Sequence, residues 1–150
     1  MKITNPFNFF SADAKRQRML NRLLLNDITV QFHLLGGDCF RIEDGADPNA
    51  HDFLGNTAAM IAIKNQANRK DGTVIKDPIV IIADLFDYGA DLNRANIFGE
   101  TAKDLAKKFN FDAMAGFIDW LATPEGLNIR LEAAALELNP YKIKALLQRG

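Results

Sequence analysis

The residues GADPN at positions 45–49 return as GADLN at positions 89–93, and the residues that follow return at the same spacing. DFLGNTA at 52–58 matches NIFGETA at 96–102, so both blocks recur in the same order 44 residues later. Two ordered blocks at a single offset indicate an internal repeat, in which one structural unit is built more than once. The fold is therefore to be derived from the repeated unit.

Each copy holds two turn glycines and one threonine that starts a helix. The first glycine follows an apolar segment and supplies the left-handed backbone that ends a helix. The second glycine allows another sharp turn, and the threonine two residues later offers an N-cap hydroxyl to the next helix. In chain order these residues are Gly45, Gly55, Thr57, Gly89, Gly99 and Thr101. The unit is thus a turn, a short inner helix, a loop and a longer outer helix.

This unit resembles the ankyrin repeat, whose pattern is roughly D-x-x-G-x-T-P-L-H-x-A and, later, L-L-x-x-G-A-D-x-N. The resemblance covers about residues 20–150 and is sharpest from 45 to 121. The usual proline is alanine in both copies (Ala58, Ala102), and the usual histidine is Met60 and Asp104. The resemblance implies an all-α ankyrin-repeat solenoid, in which helix pairs stack about 10 Å apart around one continuous core.

We predict one domain, residues 1–150, made of four units, of which the first and last are degenerate. The units fall at about 12–50, 51–93, 94–123 and 124–150, with helix pairs at 13–25 and 28–35, 101–109 and 112–121, and 129–138 and 141–148. The second unit is 11 residues longer than the usual ankyrin period of about 33. We expect the excess to form a protruding polar loop at 65–77, ended by Pro78 at the first position of the outer helix.

Composition and charge exclude several classes of function. The chain has 18 basic and 19 acidic residues, which argues against a mainly electrostatic attachment to nucleic acid. No stretch approaches the roughly 20 apolar residues that span a bilayer, and no secretory signal is visible. The single cysteine fits a reducing, cytoplasmic setting. We expect no nucleic-acid partner and no membrane insertion.

The tips of the second turns are the first candidate binding surface. Phe53 and Ile97 occupy matching places, and we expect them to point outward as an apolar stripe. Leu54 and Phe98, one residue later, are also candidate partner contacts, although packing beneath the neighbouring turn is the favoured alternative for both. Polar contacts at the rim would come from His51, Asn56, Arg94 and Glu100.

The inner helices add a second set of candidates, because ankyrin families often contact ligands from the matching positions. These residues are Met60, Lys64, Lys103 and Lys107. For the lysines the alternative is an ordinary solvated surface. Two further segments each have two interpretations. The 65–77 loop is either a recognition element or a plain insertion. Phe7, Phe9 and Phe10 either cap the first helix pair or form a docking peptide.

Catalytic and metal chemistry have little support in the sequence. His33 and His51 are the only histidines, and neither has a metal-type partner at i+3 or i+4. Cys39 has no spacing relation to a histidine that would indicate a nucleophile. We therefore expect no enzyme activity, no catalytic residue, no metal and no cofactor.

The resemblance implies a protein–protein interaction module that binds a partner protein through turn tips and inner helices. One alternative is a targeting or regulatory domain of a larger enzyme, with the chain cut short near Gly150. Another is self-association through the C-terminal unit, mainly residues 141–148. The Asn-, Lys-, Ile- and Phe-rich composition is typical of AT-rich bacterial genomes, which raises the hypothesis of an effector delivered into the cytoplasm of a host cell.

Overall fold

The computed structural model of the protein describes residues 12–30, 42–69 and 77–150, and this part of the chain holds seven α-helices. They are α1 (Ala12–Val30), α2 (Ala58–Ala67), α3 (Pro78–Asp87), α4 (Ala102–Lys108), α5 (Asp112–Leu121), α6 (Pro124–Leu136) and α7 (Pro140–Leu147). The described residues form no β-strand, only an isolated bridge between His51 and Thr57. The predicted all-α class is confirmed.

The turn glycines adopt the backbone that the repeat predicts. The φ angles are 108° at Gly45 and 96° at Gly89, and 75° at Gly55 and 76° at Gly99. Side chains other than glycine rarely adopt these positive values. The two copies of the turn therefore share one backbone shape, as their sequence match predicts.

The two threonines stand at the N-caps of α2 and α4, but only one of them caps with its side chain. Thr101 Oγ1 accepts from the Asp104 amide at 3.2 Å, and the Asp104 carboxylate accepts from the Thr101 amide at 2.9 Å. Thr57 makes no side-chain cap bond. The predicted side-chain cap at Thr57 is therefore wrong. The third residue of α2 is Met60, which has no carboxylate to complete a capping box.

Several predicted helix bounds also change. The first unit begins with one continuous helix, α1, because no glycine or proline separates 13–25 from residue 28. Residues 31–35 of the second predicted helix lie outside the described part, as do Phe7, Phe9, Phe10, His33 and Cys39. The helix predicted at 129–138 starts five residues earlier, since Thr123 caps it and Pro124 occupies its first turn.

The inserted loop of the second unit begins later than predicted. α2 continues to Ala67, and Asp77 caps α3 by accepting from the Ile79 amide at 2.9 Å. Pro78 is the first residue of α3, as predicted. Residues 70–76, most of the predicted loop, lie outside the described part.

The core is centred on α2, which is flanked by α1 and α4 and backed by α3. Its large buried side chains include Leu24 of α1, Met60 and Ile63 of α2 and Leu105 of α4. Alanines line the contacts between the inner helices, at Ala58, Ala62, Ala102 and Ala106, all buried. Because an alanine projects little beyond the backbone, neighbouring helices approach closely and form one core across the units.

The last helix pair folds back along the outer helices. α6 packs against α5, and α7 packs against α3 of the second unit. Asn139, between α6 and α7, donates to Glu43 of the first unit at 3.0 Å. Residues 124–150 were expected to stack as a fourth unit on the third, but α7 packs against the second unit instead.

A tight connection explains this change of direction. Only Ala122 and Thr123 separate α5 from α6, which leaves no room for a turn like residues 45–57. A Cβ atom on Gly126 would lie 2.2 Å from the Trp120 carbonyl oxygen, so only glycine fits there. α6 therefore begins almost directly after α5, and the connection between them forms no third turn of this kind.

Candidate functional site

The two turn tips are built by the same hydrogen bonds. In the first, Asp52 Oδ1 accepts from the amides of Leu54 and Asn56 at 2.9 and 2.8 Å. In the second, Asn96 Oδ1 accepts from the amides two and four residues later, at 2.9 and 3.0 Å. The Asp52 and Asn96 amides in turn donate to the carbonyls of Asn56 and Glu100, both at 3.0 Å. A short polar side chain thus holds each tip in a fixed shape.

The tips are layered directly against each other. The Ile97 amide donates to the Leu54 carbonyl at 3.0 Å, and Asn96 Nδ2 donates to Asn56 Oδ1 at 3.1 Å. A Cβ atom on Gly55 would lie 3.2 Å from the Asn96 Cα, so the glycine allows this approach. The tips therefore form one continuous surface.

Three large apolar side chains project from this surface. Phe53 is 90% exposed, and Ile97 and Phe98 are each 64% exposed. We call these three residues, with His51 and Arg94 beside them, the tip surface. The outward orientation predicted for Phe53 and Ile97 is confirmed.

The prediction for the following residue of each tip is half right. Leu54 is half-buried, because the Ile97 amide closes over its carbonyl. Phe98 is exposed, which corrects the prediction that it packs beneath a neighbouring turn. A Cβ atom on Gly99 would meet nothing within 4 Å, so no further turn among the described residues covers this side.

Of the predicted rim residues, only His51 and Arg94 are exposed. His51 Nδ1 lies 3.0 Å from the Asp52 carbonyl oxygen, and Arg94 donates to the Asn49 carbonyl at 3.3 Å. Asn56 is 3% exposed and bonded to both tips, so its predicted role as a rim contact is wrong.

Lysines from the inner helices brace both tips in the same way. Lys64 donates to Asn56 Oδ1 at 2.8 Å, and Lys108 donates to Glu100 Oε1 at 2.6 Å. Lys64 and Glu100, both predicted as partner contacts, are therefore half-buried residues that stabilise the tips through these hydrogen bonds. The hydrogen bond from Lys108, helped by one from Asn96, lowers the pKa of Glu100 below its ordinary value of 4.5.

The other inner-helix candidates divide between core and surface. Met60 is 1% exposed, because α2 is flanked by both α1 and α4, and its predicted partner contact is wrong. Lys103 forms an ion pair with Asp119 at 2.7 Å. Lys107 is exposed and remains a candidate.

No protein-family model matches this chain, and no curated protein matches it. Within residues 12–30, 42–69 and 77–150, no three His, Cys, Asp or Glu side chains gather where a metal ion would bind. No helix in the same ranges is both long and apolar enough to cross a bilayer.

A buried ionic cluster is the main feature that the sequence analysis missed. Arg130 of α6 donates through both guanidinium arms to Asp87 of α3, which is 1% exposed. Lys142 of α7, also buried, donates to Glu137 at 2.8 Å and to Asp84 at 3.3 Å. The signal was present, since Asp84 and Asp87 interrupt an otherwise apolar helix, but one sequence does not tell which cations meet them.

Burial and ion pairing oppose each other in this cluster. Burial raises the pKa of Asp87, while the hydrogen bonds and charges of Arg130 and Lys142 act to lower it. Burial also lowers the pKa of Lys142, but Glu137 and Asp84 outweigh it, so the net change is upward. The cluster is a set of paired opposite charges that fastens the α6–α7 hairpin to α3.

Proposed function

We propose that this protein is an ankyrin-type repeat module without catalytic activity, and that its tip surface binds a partner protein. The observation that carries the proposal is the layering of two tips that together expose Phe53, Ile97 and Phe98. Large apolar side chains on a rigid, polar-rimmed surface are typical anchors of protein interfaces.

The rigidity of the tips supports a role in binding. Each tip is held by side-chain and backbone hydrogen bonds and braced by a lysine, so its apolar residues are presented in one arrangement. Ordering a loop on binding costs free energy, and a preformed loop avoids that cost. The tip surface is therefore preorganised for a partner.

The chemistry of the tips also favours binding over catalysis. The polar groups near the apolar side chains are backbone amides, the hydrogen-bonded carboxylates of Asp52 and Glu100, the Arg94 guanidinium, and His51, whose ring contacts a backbone carbonyl. A nucleophile with a positioned base would be expected in an enzyme. We therefore propose no cofactor and no metal for this surface, and the single cysteine favours a reducing, cytoplasmic setting.

Affinity capture with surface variants tests the proposal. Wild-type protein, the variant F53E/I97E and the control M19E/V80E would be immobilised and exposed to native lysate. Met19 and Val80 are 56% and 45% exposed and lie on α1 and α3, so the control adds the same charge elsewhere. We expect a protein retained by the wild type and the control but lost with F53E/I97E. Equal retention by all three, at equal thermal stability, would reject the tip surface.

A further inference from the structure

The contact between the two tips is a template for what the second tip can bind. On the first tip, the Leu54 carbonyl accepts from the Ile97 amide. The next residue, Gly55, has no side chain, so the Asn96 backbone can lie against it. The residue after that, Asn56, accepts from Asn96 Nδ2 through its Oδ1. The first tip therefore holds the second through a carbonyl, a glycine and a polar side chain in three successive residues.

The second tip repeats these three groups and leaves them uncovered. They are the Phe98 carbonyl, Gly99 and the Glu100 carboxylate. The tips share one pattern of internal hydrogen bonds, and Gly55 and Gly99 have φ angles of 75° and 76°, so the groups point the same way in both. A Cβ atom on Gly99 would meet nothing within 4 Å, and the Phe98 carbonyl accepts no hydrogen bond from the described residues. We call these three groups the open edge.

The side chain beside the open edge is apolar. Proteins usually protect unpaired main-chain edges with charged side chains, proline or a covering element. Here the edge carries Phe98, which is 64% exposed, whereas the matching Leu54 is half-buried beside the second tip. A segment seated on Phe98 as the second tip is seated on Leu54 would remove apolar surface from water, which favours its binding.

The carboxylate of the open edge determines which occupant fits. Glu100 replaces the neutral Asn56, and its two oxygens each accept one bond, from Lys108 at 2.6 Å and from Asn96 at 3.2 Å. Each oxygen thus keeps a lone pair for an amide or a cation. A second copy of this chain would bring Asp52, the counterpart of Asn96, against Glu100. Two carboxylates repel each other, which disfavours self-association at this edge.

We propose that the open edge accepts an extended segment of the partner protein, as the first tip accepts the second. One residue of the segment donates its main-chain amide to the Phe98 carbonyl, and its backbone passes over Gly99. The residue before it, an asparagine, lysine or arginine, donates its side chain to Glu100. Main-chain hydrogen bonds give such additions affinity, and side chains in register give specificity. The inference rests on the proposed function, to which it adds the chemistry of the partner.

NMR titration of the whole protein with a cyclic peptide tests the open edge without the partner. The peptide repeats residues 94–101, RANIFGET, because this segment occupies the first tip. We expect saturable shifts of the Phe98, Gly99 and Glu100 backbone signals at up to about 5 mM peptide. Methylating the peptide amide that corresponds to Ile97 removes the donor and should weaken binding about tenfold. An absence of shifts, or equal binding of the methylated peptide, would overturn the proposal.

A side chain at Gly99 tests the close approach. Asparagine tolerates a positive φ, so G99N should keep the fold while its Cβ atom blocks the incoming backbone. We expect peptide binding to fall at least about tenfold. The control G116N, at an exposed glycine of α5 with open space around it, should bind like the wild type. Wild-type binding by a folded G99N variant would contradict the proposed contact.

Two further outcomes separate the possible occupants and the two proposals. Shifts at the same three signals on concentrating the protein alone would assign the open edge to a second copy, against the proposal. The titrations use no partner, so they can fail while affinity capture still shows that Phe53 and Ile97 bind one. Conversely, peptide binding at the open edge with no protein captured through the tip surface would leave the edge and reject the tip surface.

Discussion

Arg130 holds Asp87 through two parallel hydrogen bonds, the one from Nε to Oδ1 measuring 2.8 Å, across 43 residues of sequence. Asp87 lies at the end of α3, and Arg130 lies in the middle of α6. A buried carboxylate is stable only when its charge is compensated. This pair is therefore one of the contacts that fasten the C-terminal hairpin to α3.

Removing the cation of this pair should be costly. We expect R130A to lower the free energy of unfolding by about 2–3 kcal/mol, somewhat less than a fully isolated buried charge, because Lys142 remains 3.9 Å from Asp87. Urea denaturation followed by circular dichroism measures this. K107A, at an exposed lysine, serves as the control and should change stability by less than about 0.5 kcal/mol. An R130A variant as stable as K107A would show that the pair does not fasten the hairpin.

The two tip glycines offer a matched comparison. Gly55 and Gly99 share a positive φ, but only Gly55 faces a neighbouring turn, at 3.2 Å from the Asn96 Cα. We expect G99A to cost about 1–2 kcal/mol for the left-handed backbone alone. G55A should cost more, since the second tip must also shift. Equal losses in thermal unfolding would mean that the tips are not layered as described.

The two N-cap threonines should respond differently to valine. T101V removes a side-chain cap with its capping box and should destabilise the protein by about 1 kcal/mol. T57V removes no cap bond and keeps the shape of the side chain, so we expect a change below about 0.5 kcal/mol. Chemical denaturation of both variants distinguishes these outcomes. A larger loss for T57V would contradict the cap assignment.

The acidic groups of the second tip should make stability depend on pH. Hydrogen bonds from the backbone and then the hydroxyl of Thr101 lower the pKa of Asp104 below its ordinary 3.8, and the hydrogen bond from Lys108 lowers the pKa of Glu100 below 4.5. A carboxylate with a lowered pKa stabilises the fold above its ordinary pKa, and the benefit is lost as the pH falls through the lowered value.

The variant E100Q/D104N tests this dependence. It should be less stable than the wild type at neutral pH, because both charge-assisted hydrogen bonds are weakened. The difference should shrink as the pH falls below about 4.5, where the carboxylates of the unfolded wild type begin to take up protons while the folded ones stay ionised. Melting temperatures of both proteins over a pH series measure this difference in stability. A difference that stays constant or widens in acid would rule out these two groups as its source.

Much of the repeat could be predicted from sequence because its chemistry is local. Gly45 and Gly89 need a positive φ whatever surrounds them, and the helices between the turns follow from apolar spacing. The outward position of Phe53 and Ile97 followed from the same logic. These features depend on residues that are neighbours in the chain.

The features that the sequence did not predict depend on contacts between residues far apart in the chain. The docking of the hairpin is decided by pairs such as Arg130–Asp87 and Asn139–Glu43, which no local pattern reveals. Whether Phe98 is covered depends on a further turn, and the short α5–α6 connection prevents one from forming. Met60 was expected to contact a partner because ankyrin families often contact ligands from the matching position, but a flanking helix on each side buries it.

Titration calorimetry with the partner recovered by affinity capture tests the central claim most directly, namely that both tips form one binding surface. F53E and I97E would be measured singly and together, with M19E/V80E as the control. We predict that each single variant weakens binding at least about tenfold and that the control binds like the wild type. Wild-type affinity of a folded F53E/I97E double variant would contradict the account.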